Sequence, residues 1–111
     1  MIWIVEGELD RLVLTQHLPS DAAAVTSTGG ADTFARGWAS LLKAPHIFVL
    51  YDNDEAGERG ATKVRAALPR AVSVPLPLWL GRRGDLTDYF LAGGTYEALL
   101  DLARHALRRR R

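Results

Sequence analysis

The stretch that decides the fold is LYDNDEAG, residues 50–57, because it joins an unbroken apolar run to a segment of helical character. A short apolar run of this kind is typical of a strand buried on both faces, and residues 46–51 are predicted to form one. Asp52 and Asp54 follow two positions apart, so extended chain would point both carboxylates the same way. Neighbouring carboxylates repel, and a hard cation such as Mg²⁺ relieves that repulsion. The same residues also fit a polar loop in which Asp54 caps the helix and Glu55 lies on its dipole.

Two further acidic clusters follow apolar runs elsewhere in the chain. Glu6 comes directly after the first run, and Asp10 lies one helical turn later. Asp85 and Asp88 follow a later strand candidate. The carboxyl ends of parallel strands meet at one edge of a sheet, where α/β proteins place their ligands, so Glu6 and Asp52 are predicted to lie close in space. Each cluster taken alone also fits a turn or a helix cap.

Regular alternation of strand and helix patterns predicts an α/β fold. The predicted strands are residues 2–5, 23–26, 46–51 and 71–74, and the predicted helices are residues 8–17, 33–42, 54–68, 85–91 and 95–108. In the first helix, Leu9, Leu12 and Val13 are expected to face the core. Such alternation indicates a mostly parallel four-stranded sheet with helices on both faces. We expect one domain, residues 1–107, followed by a basic tail, residues 108–111.

The order and spacing of these motifs resemble the Toprim domain, which occurs in primases, primase-helicases, topoisomerases and some nucleases and recombination proteins. The resemblance extends over roughly residues 2–102 and implies a compact Toprim-like fold. The motifs that carry it are Glu6-Gly7 after the first strand, Thr28-Gly29-Gly30 after the second, Asp52-Asn53-Asp54-Glu55-Ala56-Gly57, and Asp85-Leu86-Thr87-Asp88-Tyr89. Their form is most similar to the primase and primase-helicase branch.

The resemblance implies a set of site residues. Asp52 and Asp54 would hold Mg²⁺ or Mn²⁺, with Asp85, Asp88 or Asp10 completing the metal shell through water. Glu6 would act as general acid or base, or else as a further metal ligand.

Phosphate and backbone contacts complete the set that we expect. Arg82 and Arg83, beside the third acidic cluster, are candidates for phosphate contacts, and Gly29 and Gly30 for a backbone contact that lines the site. No tyrosine of this sequence can be assigned the covalent role that a tyrosine has in topoisomerases.

The implied function is Mg²⁺-dependent nucleotidyl or phosphoryl transfer on nucleic acid, with RNA primer synthesis in DNA replication as the first hypothesis. Its partners would be a DNA template, an RNA primer, nucleotides, and a helicase or zinc-binding module of a parent or partner protein. The chain would then be a fragment or a stand-alone protein that needs partners, with weak activity in isolation. The alternatives are a metal-dependent nuclease and a non-catalytic nucleic-acid-binding module.

Composition excludes several other classes of protein. The 111 residues contain no cysteine, which rules out disulfides and Cys-based zinc sites. No apolar run approaches the ~20 residues of a membrane span, and we expect a cytoplasmic protein. The net charge is +1, and the last four residues are all arginine. Arg108 and Arg109, with the two residues that follow, could bind a nucleic-acid backbone, complement the negative end of a helix, or mark a cut in a longer chain.

Overall fold

Parallel strands form the centre of this computed structural model, which describes residues 1–26, 43–81 and 84–109. Within those ranges the sheet has four strands in the order β2–β1–β3–β4, all parallel. They are β1 (Ile2–Val5), β2 (Ala23–Thr26), β3 (Ile47–Leu50) and β4 (Val72–Ser73). Val5 pairs with Thr26 on one side and with Leu50 on the other, so the carboxyl ends of β1, β2 and β3 meet at one edge. The predicted parallel α/β sheet is confirmed.

Four α-helices connect and flank the strands in the described part of the chain. They are α1 (Glu8–Thr15), α2 (Glu55–Ala67), α3 (Leu86–Leu91) and α4 (Tyr96–Arg109), with a 3₁₀ turn at Leu78–Leu80. Their ends lie within two residues of the predicted ones, the usual uncertainty at frayed termini. The predicted helix at residues 33–42 lies outside the described residues. None of the described helices has the length and apolar character needed to cross a membrane.

Alternation along the strands separates two cores, one on each face of the sheet. Trp3, Val5 and Phe48 belong to a core that α1, α3 and α4 cover, and the ring of Trp3 lies 5.1 Å from that of Phe48. Ile4 and Val49 point the other way, into a core that α2 covers. Burying each such side chain stabilises the fold by roughly 1.5–3 kcal/mol. Helices on both faces were predicted, and the structure confirms them.

Helix α1 turns a different face to the core from the one predicted. Leu9 and Leu12 are exposed and Val13 is half-buried, whereas Asp10 and Leu14 are buried. Positions i and i+4 share a helix face, so Asp10 and Leu14 define the inward side. The apolar pattern alone was misleading because a buried carboxylate occupies a core position.

Candidate functional site

Glu6 and Asp52 meet at the carboxyl edge of the sheet, although 46 residues separate them. Glu6 follows β1 and Asp52 follows β3, and these strands are neighbours. The backbone N–H of Asp52 donates to Oε1 of Glu6 at 3.2 Å. The charges of Asp10 and Asp54 also act on both carboxyls. We call this group, Glu6, Asp10, Asp52 and Asp54, the acidic edge.

Burial and repulsion from neighbouring acids disfavour ionisation of Glu6, Asp10 and Asp52. Burial, together with the charges of Glu6 and the neighbouring aspartates, raises the pKa of Asp52 to about 8. Burial also raises the pKa of Glu6, partly opposed by the hydrogen bond from the Asp52 N–H and reinforced by the charge of Asp54. Carboxyls perturbed in this way are common where a protein holds a cation or moves a proton.

Asp54 is the N-cap of α2. Its Oδ1 accepts a hydrogen bond from the Gly57 N–H at 2.7 Å. The helix-capping role therefore uses one of the two oxygens of this carboxylate. An ionised carboxylate has two acceptor oxygens, so a cap does not prevent the other from reaching a cation.

Asp10 has a structural role that the sequence analysis missed. Only 7% of the residue is exposed, and its Oδ1 accepts from both the N–H and the hydroxyl of Thr87, at 3.2 and 2.8 Å. These bonds tie α1 to α3 across 77 residues. Burial raises the pKa of Asp10, and the Thr87 hydroxyl opposes that rise. The one sequence signal for this contact was a threonine between two aspartates.

This contact yields a first prediction. Asp10→Ala leaves the Thr87 N–H without its acceptor, so the free energy of unfolding should fall by about 2–3 kcal/mol in urea titration. Asp10→Asn keeps an oxygen at the same place and removes a charge from the acidic edge, so its loss should stay below about 1 kcal/mol. Equal losses in the two variants would show that the charge of Asp10, rather than the acceptor, is what the fold requires.

Asp85 and Asp88 form a capping box at the start of α3. Asp85 Oδ1 accepts from the Asp88 N–H at 2.8 Å, and Asp88 Oδ2 accepts from the Asp85 N–H at 3.1 Å. Their local role is thus to begin a helix. The charge of Asp85 still raises the pKa of Asp52. Asp85 therefore lies within electrostatic range of the acidic edge.

The predicted basic and glycine contacts fall into two groups. Four of them lie outside the described residues: Gly29, Gly30, Arg82 and Arg83. Arg108 and Arg109 form the exposed last turn of α4, where they complement the negative helix end. Ala106, one turn earlier, lines a cavity with Ala71 at the amino end of β4. The two arginines therefore follow the part of α4 that lies beside β4.

Asn53 holds the loop between the two aspartates in place. Its Nδ2 donates to the Leu76 carbonyl at 2.9 Å, and its Oδ1 accepts from the Leu76 N–H at 3.3 Å. Prolines at positions 75 and 77 lack an N–H, so Leu76 is the one backbone donor of that triplet. The available sequence signal for this contact was a polar residue, Asn53, between two acids, and no role was predicted for it.

The donor set of the acidic edge fits a hard cation. Within the described residues, no three acidic or histidine side chains converge closely enough to form a metal site from protein ligands alone. Mg²⁺ does not require that, since one or two carboxylates commonly bind it together with waters and substrate phosphates. Glu6 and Asp52 offer carboxylate oxygens, and the charges that act most strongly on them are those of other acids.

Solved structures of known proteins share this fold. A small TOPRIM domain protein from Bacillus stearothermophilus superposes with a TM-score of 0.69 at 22% identity, covering 96% of this chain and 94% of that one. The zinc-binding and RNA polymerase domains of Aquifex aeolicus primase superpose with a TM-score of 0.72 at 24% identity, covering 95% of this chain and 25% of that one. The primase fragment of the bacteriophage T7 primase-helicase protein superposes with a TM-score of 0.72 at 20% identity, covering 92% of this chain and 42% of that one.

These identities establish likeness of fold, and the chain corresponds to less than half of either primase structure. A search of curated protein sequences finds no match. The sequence model of the Toprim-like family matches residues 3–90, which include all but the first residue of β1, the strands β2 to β4, and the acidic edge. The chain therefore belongs to the Toprim-like family.

Proposed function

We propose that the acidic edge is the metal-dependent catalytic site of a primase-type nucleotidyltransferase that acts on nucleic acid. The observation that carries this proposal is the half-buried contact between the Glu6 carboxyl and the Asp52 backbone N–H, with the pKa of the Asp52 carboxyl raised to about 8. Such a pair is destabilising by itself, because each buried charge opposes the other. A bound divalent cation would turn the repulsion into shared attraction.

Each acid of the edge receives a role in this proposal. Asp52 and Asp54 would hold Mg²⁺ or Mn²⁺, and Asp10, Asp85 or Asp88 would complete the metal shell through water. When bound, the ion would offset the negative charge of phosphate oxygens during transfer. Glu6 accepts or returns a proton at its carboxylate, since burial moves its pKa upward, closer to neutral pH.

Family membership and the likeness to two primase structures support the proposal that this chain acts on the substrates of a primase: a DNA template, nucleotides and an RNA primer. One of those structures includes a zinc-binding domain, and the other comes from a primase-helicase protein. We propose that this chain works with a comparable module of a parent or partner protein. Its activity in isolation should then be weak.

A nuclease is the second candidate, and the raised pKa of Glu6 is the observation that favours it. A carboxylate of this kind can take a proton from an attacking water, which would shorten nucleic acid instead of extending it. A non-catalytic binding module ranks third, since binding alone does not require several half-buried acids that repel one another.

A gel assay tests the proposal and separates the first two candidates. End-labelled single-stranded DNA is incubated with ribonucleotides and Mg²⁺ or Mn²⁺, beside the double variant Asp52→Asn/Asp54→Asn. We expect short RNA or extended products that fall at least about 10²-fold in the double variant. Glu55→Gln is the matched control, because Glu55 is an exposed acid in the first turn of α2.

Three outcomes of this assay are decisive. Shortening that the double variant abolishes would establish the nuclease. Products that the double variant forms as fast as the wild type would overturn the catalytic role of the acidic edge. Inactivity in every lane, repeated after a zinc-binding or helicase module is added, would favour the binding module.

A further inference from the structure

A cavity of about 470 Å³ opens beside the acidic edge, between the start of α2 and the segment that follows β4. This volume is ordinary for a small-molecule site. The residues that give its wall its chemical character are Tyr51, Asp52, Ala61, Ser73, Pro75 and Leu78. Asp52 thus belongs both to this cavity and to the acidic edge.

Among the described residues, the hydroxyl of Tyr51, which lines the cavity, has no hydrogen-bond partner. Tyr51 is 4% exposed, and its buried hydroxyl makes no hydrogen bond in the described structure. Buried hydroxyls nearly always have a hydrogen-bond partner, because an unmade bond is costly away from water. An occupant of the cavity with a polar edge would supply that bond.

An apolar side chain of the same wall, that of Leu78, is exposed to solvent. Leu78 is 94% exposed in the 3₁₀ turn after β4, and Pro75 and Ala61 provide further apolar surface in the cavity. Covering such a side chain with a flat apolar face is favourable. The occupant should therefore have an apolar face as well as a polar edge.

Charge narrows the choice of occupant further. Glu58 and Asp52 both line the cavity. An ionised carboxylate accepts hydrogen bonds but donates none, and the Asp52 carboxyl offers an acceptor oxygen whether or not it carries a proton. Two acids disfavour a phosphate inside the cavity and favour a neutral group that carries N–H donors. A planar heteroaromatic ring with an exocyclic amine meets all of these requirements.

We infer that the cavity is a subsite for an amine-bearing nucleobase: adenine, cytosine or guanine. The base belongs to a nucleotide whose phosphates lie at the acidic edge, and in that respect the inference rests on the proposed function. The ring covers Leu78 and Pro75, while its polar edge bonds to the Tyr51 hydroxyl and to Asp52.

Adenosine without any metal is the probe for the first experiment. In a two-dimensional ¹H–¹⁵N NMR titration, we expect adenosine to shift the amide signals of Gly57, Ser73 and Gly81, which line the cavity. Ribose, which lacks the base, should leave them in place. Equal shifts with ribose, or adenosine shifts confined to other parts of the protein, would overturn the inference.

Matched leucine variants test the wall. Leu78→Ser should weaken adenosine binding at least about fivefold. Leu91→Ser is the control, since Leu91 is 81% exposed at the end of α3 and does not line the cavity. Both variants should keep the unfolding midpoint of the wild type, because neither leucine is buried. Equal affinities in the two variants would contradict the subsite.

Tyr51→Phe gives an independent readout. The Tyr51 hydroxyl has no hydrogen-bond partner among the described residues, so this variant should unfold at the wild-type urea concentration or above it. Its affinity for adenosine should fall at least about threefold. A lower unfolding midpoint together with unchanged affinity would show that the hydroxyl serves the fold and not a ligand.

Asp54→Asn separates this inference from the proposed function. Asparagine is also a good N-cap, and Asp54 is not part of the cavity wall. The variant should lose Mg²⁺-dependent activity and still bind adenosine like the wild type. Adenosine binding in a protein without any metal-dependent activity would overturn the proposed function alone, and activity without adenosine binding would overturn the subsite alone.

Discussion

Asp52→Asn should stabilise the metal-free protein at pH 9 while lowering its metal-dependent activity at least about 10²-fold. Burial and the charge of Glu6 raise the pKa of Asp52 to about 8, from 3.8 in the unfolded chain. Between these values the folded protein holds a proton that the unfolded chain has released. The free energy of unfolding therefore falls as pH rises through this window and is lowest above pH 8. Asparagine has no proton to release, so the variant avoids this loss.

The gain in stability should be about 1–2 kcal/mol, less than the full pKa shift implies, because Asp52 keeps partial contact with water. Urea unfolding of wild type and variant at pH 6 and pH 9, without metal, measures it. The two proteins should differ little at pH 6 and clearly at pH 9.

Added Mg²⁺ provides the complementary measurement. A cation that binds the ionised carboxylates of the folded state should raise the unfolding midpoint of the wild type at pH 9 and have much less effect on Asp52→Asn. Glu55→Gln should follow the wild type throughout. A wild type whose stability is the same at pH 6 and pH 9 would contradict the raised pKa of Asp52, whatever the metal does.

Gly57→Ala is the second substitution with a large expected effect: a loss of about 2–4 kcal/mol in the free energy of unfolding. A Cβ at this position would collide with the carbonyl oxygen of Asp52, and backbone cannot move aside as a flexible side chain can. Alanine normally favours a helix by about 1 kcal/mol over glycine, so the sign of the effect distinguishes the collision from helix propensity.

The displaced backbone would also carry the Asp52 carboxyl away from Glu6. We therefore expect Gly57→Ala to lose Mg²⁺-dependent stabilisation as well as stability, both measurable in one set of urea titrations. Gly93→Ala is the comparison, because Gly93 has a φ of +94° and open space around it. Its loss should be about 1 kcal/mol, from backbone strain alone. A Gly57→Ala protein as stable as the wild type would show that the first turn of α2 can shift freely.

The amino-acid sequence by itself determined the features that depend on near neighbours. Four-residue apolar runs predicted β1, β2 and β3, and the polar motif at residues 50–57 predicted the start of α2. The Asp54 helix cap and the Asp85–Asp88 capping box could also be predicted from local sequence, since each joins residues three positions apart. The meeting of Glu6 and Asp52 followed from one general property of parallel sheets.

Only the tertiary structure decided the features that depend on distant partners. Asp10 is buried because Thr87, 77 residues away, satisfies its carboxylate, and nothing in the local pattern of α1 shows this. With Asp10 on the inward side of α1, Leu9 and Leu12, which periodicity had assigned to the core, are exposed. Likewise, the cavity between Tyr51 and Leu78 exists because β4 pairs with β3. Local patterns specify which helices and strands form. The packing of elements far apart in sequence specifies which carboxyls accept hydrogen bonds, which carboxyls lie close enough to repel one another, and where a cavity can hold a ligand.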